Sequence, residues 1–275
     1  MAPITHISAK KTPTDYWKEL WNYRELFFFL AWRDFLIRYK QTVVGVLWAV
    51  LRPIIMLAIL TVVFGKIGHF QNADSKIPYI LVIACGMLPW QLFASILGDS
   101  SQSLLNNAHL ITKIYFPRLI LPSSAVIISL ADTLIATVLI LPLFFWYRTP
   151  ITGPIWLLPV FLAMLLCTAF GFGLWVTALT VRFRDLRFLV PYVVQVGMFV
   201  TPIGYTAASI TKWWGSLLYL NPLTGAIEGI RWACFGAAYM PTPAALLTST
   251  IASLFLIVSG IWYFRSMERT FADVI

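Results

Sequence analysis

Residues 154–181 read PIWLLPVFLAMLLCTAFGFGLWVTALTV, with no Asp, Glu, Lys or Arg among them. A helix needs about 20 consecutive apolar residues to cross a bilayer core. This stretch is long enough. Similar stretches lie on both sides of it, at 43–64, 78–98, 121–146, 189–207 and 243–264. The expected fold is all-α, a polytopic membrane protein with six transmembrane helices. Barrel strands would alternate over about ten residues, whereas these runs are unbroken. Pro53, Pro142, Pro191 and Pro202 fall inside or at the ends of spans, where neighbouring groups make them tolerable.

The whole chain agrees with this reading. Of 275 residues, 60% are hydrophobic and 11% charged, and the mean hydropathy is +0.81. A soluble domain has about 45–50% apolar and about 25% charged residues. A water-soluble enzyme, a disordered chain and a disulfide-stapled secreted domain are therefore excluded. The net charge of +9 reflects topology rather than nucleic-acid binding, because most cations flank apolar runs. Only Lys66, Lys76, Arg148, Lys212 and Arg231 fall on the outer side, and Arg52 lies within the first span. The others fall on the inner side if both termini are cytoplasmic. The first 25 residues are polar, so no cleavable signal peptide is expected.

Cys85, Cys167 and Cys234 are scattered, as are His6, His69 and His109. Neither a metal site nor a disulfide framework is expected. The motifs GxxxxGK[ST], GxSxG and HExxH are missing, so the chain is not expected to hold ATP or to be an enzyme.

Residues 1–42 form a tail and an amphipathic helix, and residues 43–275 a single transmembrane domain. Thr12-Pro13-Thr14-Asp15 reads as a helix start. The helix that follows mixes Trp17, Leu20, Trp21 and Phe28 with Lys18, Glu19, Arg24 and Glu25. It is too charged to span and suits the membrane interface. Two apolar stretches, Trp213–Leu220 and Ala226–Gly236, are too short to cross and read as re-entrant helices before the last span. Asn221-Pro222 is the turn between them.

Several polar residues stand out. Arg33, Arg38, Lys40 and Arg52 cluster at the first span. They serve either as positive-inside anchors or as ligands for an anionic headgroup such as a lipid pyrophosphate. Asp132, in mid-span, suits helix packing with a cation partner such as Arg52, or proton coupling. Glu228 and Arg231 are spaced to pair, and Gly225 and Gly229 to permit close helix approach. Residues 99–120 form an inner loop with a short helix ended by Pro117. Its apolar and aromatic residues suggest docking into a partner. Residues 182–188 are a second inner contact. Aromatics make up 16% of the chain. Most suit belts and packing, and a minority could line a sugar conduit.

Five stretches carry a family resemblance. They are Arg33-Asp34 with Arg38 to Thr42 and Gly45 to Ala49; Leu110 to Pro122; Val181 to Leu186; Asn221-Pro222 through Glu228 to Arg231-Trp232; and Met267 to Asp273. The chain resembles the membrane subunit of ABC-2-type polysaccharide exporters, the O-antigen, capsule and teichoic acid permeases. The resemblance implies a homodimer with two copies of a separate ATPase that holds ATP and Mg. It implies a coupling helix at 107–117, with Asn107, Leu110, Lys113, Tyr115, Phe116 and Arg118 facing the ATPase and Arg182 and Arg184 nearby. Helix 17–31 would be the gate helix, and the two short outer helices, with Glu228 and Arg231, the outer gate. Spans one and five would line a conduit, with Trp48, Tyr192 and Phe199 facing it. The substrate would be a polysaccharide on undecaprenyl diphosphate, moved outward across the bacterial inner membrane. The alternative is an ABC-2 exporter of a drug or small lipid. An intramembrane transferase would need paired acids at membrane depth, and a non-transporting scaffold would leave Arg52 and the re-entrant segment unexplained.

Overall fold

Pro13 opens the first helix, where its missing N–H costs nothing. A computed structural model describes residues 13–40, 45–68, 77–183, 185–207, 210 and 217–271. It contains α1 (Pro13–Asn22), α2 (Arg24–Lys40), α3 (Gly45–Leu60), α4 (Tyr79–Asn106), α5 (Ala108–Lys113), α6 (Ile120–Trp146), α7 (Leu158–Arg182), α8 (Leu186–Val200), α9 (Pro222–Phe235) and α10 (Pro243–Met267). A π-helical turn, Thr61–Ile67, continues α3. No strand occurs among the described residues.

Among the described residues, four helical segments are long and apolar enough to cross a membrane: α4, α6, α10 and α7 with its leading 3-10 turn. The other two expected spans differ from expectation. The first has 16 α-helical residues before the π-turn. The fifth stops at Val200, because Thr201 precedes Pro202 and takes an extended ψ of 136°. The second span runs further than expected, to Asn106, so residues 99–106 are helix rather than loop. The interfacial helix also runs further, through Lys40, with a turn at Tyr23. The first half of the stretch 213–220 lies outside the described residues. The second short stretch is α9, started by Asn221, whose side chain accepts from the Leu223 N–H at 3.1 Å.

Helix α4 is the axis. Its most apolar window is 72% buried, against 22% to 33% for the other long helices. It packs on α6 and α7, and α7 packs on α10. The outer faces of α6 and α10, such as Leu134, Val138, Phe255 and Val258, stay uncovered. Between α7 and α10 the backbones meet directly. A Cβ on Gly260 would lie 2.4 Å from the Gly171 carbonyl oxygen, and one on Gly171 2.5 Å from the Leu256 carbonyl carbon. Small residues permit this approach in an apolar medium, where association rests on packing. Trp175 stacks on Tyr263 at 4.1 Å, and the Thr168 and Ser253 hydroxyls lie 2.9 Å apart across the same seam.

Because main-chain atoms line that contact, a side chain cannot be absorbed by a rotamer change. Gly260→Leu should destabilise the protein by about 3 kcal/mol or more, at the top of the usual overpacking range. Thermal unfolding in detergent should show a lower midpoint than wild type. An unchanged midpoint would mean the seam is looser than described.

Candidate functional site

Polar groups gather at both ends of α4. Near its start, Arg231 of α9 is fully buried. Its guanidinium donates to three main-chain carbonyls: Val82 at 3.2 Å, Tyr205 at 3.0 Å and Ile203 at 2.5 Å. Ile203 and Tyr205 belong to the non-helical segment after α8, whose carbonyls lack helical partners. Gly86 leaves the room, since a Cβ there would lie 2.6 Å from Arg231 Nη2. Glu228 accepts from the Ala207 N–H at 2.7 Å and from the Tyr219 hydroxyl. The expected Glu228–Arg231 pair is thus corrected: among the described residues no ion pair joins them. Each instead satisfies main chain of the segment that follows α8. Gly225 and Gly229 do lie at close approaches, to Ser249 and Phe161.

Near the far end of α4 a crevice of about 790 Å³ opens between α2, α4, α6 and α8. That is within the usual size of a small-molecule site. On α4, Asp99, Gln102, Ser103 and Asn106 face it, at helical spacing. Arg38 of α2 reaches Asp99 at 3.1 Å and Asp132 at 3.0 Å. Tyr39 donates to the other oxygen of Asp132. Ser95 donates to Asp99 at 3.3 Å. The contacts of Asp132 are Arg38 and Tyr39, so the expected Arg52–Asp132 pairing is corrected to these two; Arg52 is exposed on α3. The side chains of Arg38, Asp99 and Asp132 keep 38%, 39% and 24% of their exposure. Each pair is therefore worth on the order of 1 kcal/mol, as for solvated ion pairs, rather than the several kcal/mol lost when a buried pair is broken. Arg33 binds Asp34 at 2.6 Å and the Asn107 side-chain oxygen at 2.9 Å. Lys40 is exposed.

Asn107 breaks α4 from α5. Its amide donates to the Ser103 carbonyl at 2.9 Å, and its own carbonyl accepts from Leu110 and Ile111. It is buried, as is Phe116, and Leu110 is half-buried. Lys113 and Tyr115 are exposed. Arg118 turns inward to Glu268: its N–H donates to a carboxylate oxygen at 2.8 Å, and its side chain to the Glu268 carbonyl. Tyr16 of α1 donates to the same carboxylate at 3.3 Å, and Arg265 lies 4.3 Å over the Tyr16 ring. Burial pushes the Glu268 carboxyl above its usual range, and the Arg118 N–H and Tyr16 hydroxyl partly offset this. Burial also raises the Tyr16 phenol.

Arg182 is exposed and lies 5.4 Å from the Phe183 ring. Arg184 and the Trp48 side chain lie outside the described residues. Tyr192 and Phe199 are exposed on one face of α8, with Phe188 and Val196. Sequence reasoning missed Asp99, Tyr39, Glu268 and Tyr16 as site residues. Tyr39 and Glu268 lie in stretches that carry the family resemblance but received no role, and Asp99 was visible as a carboxylate at the end of an expected span.

Apolar helices of membrane length, overlaid by a charged helix that closes a polar crevice, define a multi-pass membrane protein built around internal polar sites. The chain belongs to the ABC-2 type transporter family, whose pattern matches residues 25–235. It is 27% identical over 260 residues to the O-antigen export system permease protein RfbA of Myxococcus xanthus, covering 94% of this chain and 98% of that one. It is 27% identical to the RfbA protein of Klebsiella pneumoniae, covering 88% and 92%. It is also 27% identical to the polysialic acid transport protein KpsM of Escherichia coli, covering 86% and 91%.

The Arg231 cradle predicts a large single-site effect. Arg231→Leu strands three carbonyls that a leucine cannot serve, at about 1–3 kcal/mol for each buried unsatisfied group. Folded yield after solubilisation should fall sharply, while Arg148→Leu, at an exposed position, should behave as wild type. Equal yields for both variants would remove the cradle's structural role.

Proposed function

We propose that the chain is the transmembrane subunit of an ATP-driven exporter of undecaprenyl-diphosphate-linked polysaccharide, of the O-antigen kind. It moves the polymer from the cytoplasmic to the outer face of the bacterial inner membrane. The observation that carries this reading is the similarity to O-antigen export permeases, which covers 94% of this chain and 98% of the Myxococcus relative. Two copies of the chain work with two copies of a separate ATPase, which holds ATP and Mg. Both termini are cytoplasmic. That orientation puts the crevice, α5 and Glu268 inside and the Arg231 cradle at the outer end. The six crossings include α3 with its π-turn and the short α8, and α9 is re-entrant.

The residues divide the work. Lys113 and Tyr115, exposed on and just after α5, meet the ATPase, with Arg182 and Arg184 beside them. Asn107, Leu110, Phe116 and Arg118 brace that segment from within. Arg33 and Arg38 line the crevice and, with Lys40 and Arg52, attract the diphosphate. Guanidinium forks suit phosphate oxygens. Trp48, with the exposed face of α8 through Tyr192 and Phe199, lines the conduit between protomers. Aromatic faces let a sugar polymer slide, because no single contact is strong. Glu228 and Arg231 hold the outer gate.

Affinity purification from native membranes in mild detergent, followed by mass spectrometry, tests the assembly. A stoichiometric chain bearing a phosphate loop is expected, and a permease recovered reproducibly alone would overturn it. Lys113→Glu and Tyr115→Glu should reduce surface polysaccharide at least tenfold with permease levels unchanged. Arg118→Glu should lower permease levels as well, since it also breaks the Glu268 contacts. Normal export by the first two variants would remove the docking assignment.

A further inference from the structure

We infer that Asp99 and Asp132 act as an internal counter-anion that holds α2 shut over the crevice, and that a lipid diphosphate opens it by taking Arg38 from them. The inference rests on the headgroup reading proposed above and adds the control of that site.

The geometry is a competition for one side chain. Arg38 spends one arm of its fork on Asp99 of α4 and the other on Asp132 of α6. The adjacent Tyr39 hydroxyl takes the second oxygen of Asp132. One turn of α2 thereby pins that helix to two others. The carboxylates are themselves held in place. Ser95 and Ser129 lie 2.9 Å apart between α4 and α6, and both donate toward Asp99, at 3.3 and 3.5 Å. The fork cannot move to a new anion without releasing these two. Arg33, five residues earlier, faces the same crevice with Asp34 and Asn107 as partners.

Partial exposure makes exchange possible. Arg38 and Asp99 line the crevice, so a charged ligand that enters it meets both without any packed contact having to open first. A diphosphate offers several oxygens in the spacing that a guanidinium fork prefers. A neutral sugar offers no charge with which to displace a carboxylate. A ligand shifts an equilibrium only by its differential affinity for the two states. The carboxylates therefore lower apparent affinity, by keeping the receptive state scarce. In return α2 stays closed when no headgroup is present. A purely structural ion pair predicts the opposite sign, since its loss would weaken binding and activity together.

The test uses the permease–ATPase complex in lipid nanodiscs, with undecaprenyl diphosphate as the probe and ATP hydrolysis as the readout. Asp99→Asn with Asp132→Asn keeps the shape and removes the charge. Basal hydrolysis should rise, and the half-saturating probe concentration should fall by about tenfold, as a larger receptive fraction requires. Arg38→Gln should raise basal hydrolysis but abolish the probe response. A double variant with an unchanged or higher half-saturating concentration, while Arg38→Gln loses its response, overturns the counter-anion and leaves the headgroup reading standing. An Arg38→Gln protein that responds like wild type sinks both. If the double variant does not fold, spin labels at the exposed positions Trp32 and Leu134 decide in otherwise wild-type protein. The probe should lengthen the distance between α2 and α6, and an unmoved distance overturns the proposal.

Discussion

A peptide group that leaves helical geometry in an apolar medium must find its partner inside the protein, and α9 exists in its buried position because that demand is met. Thr201-Pro202 ends α8 early, and the segment that follows carries carbonyls and N–H groups without helical partners. Arg231 supplies donors to Ile203 and Tyr205, and Glu228 supplies an acceptor to Ala207. One charged residue of each sign, a turn apart on the same helix, serves both halves of the peptide unit. Gly86 is the counterpart on α4 that makes the arrangement fit. At the far end of the molecule Glu268 uses the same solution, accepting from the Arg118 main chain and from Tyr16.

What the sequence discloses is the part governed by length and apolar content. The cores of α4, α6, α7 and α10 were readable because a bilayer allows few alternatives to a long apolar helix. Helix ends were less readable. Residues 99–106 look like loop by composition, with Asp99, Ser100, Ser101 and Asn106, yet they continue α4. They are helical because their polar face lines a crevice closed by α2 rather than lipid. Tertiary demand also overrode local rules. The spacing of Glu228 and Arg231 favours a pair on an isolated helix, but unpaired main-chain groups nearby outbid it. Asp132 has a cation partner, as a carboxylate in mid-span requires. That the partner is Arg38 rather than Arg52 depends on how α2 lies across α6, which no spacing along the chain records. Arg118 and Phe116 look like docking residues in sequence because apolar and basic side chains beside a membrane resemble a binding face. Half of such a segment must still pack against its own protein, and these two do.

The N-terminal helices are tied to the 107–118 segment at three heights. Tyr16 meets Arg118 through Glu268, the Tyr23 hydroxyl donates to the Tyr115 carbonyl at 3.3 Å, and Arg33 donates to Asn107 at 2.9 Å. These positions run along α1 and α2, the layer whose lower end carries Arg38. In the proposed transporter, one route for an ATPase movement is a tilt of the membrane spans. The contacts offer a shorter route. Displacing α5 pulls on α1 and α2 directly, and α2 forms one wall of the crevice. Tilting α4 or α7 instead would disturb the main-chain contacts of Gly171 and Gly260 and the buried centre around α4, where interiors resist deformation. The Tyr23–Tyr115 link is exposed and the Arg33–Asn107 link only partly buried, and each is a single hydrogen bond of modest net worth, so both can shift at a lower cost. Nucleotide state would then reach the substrate headgroup through the surface helices first, with the packed spans following.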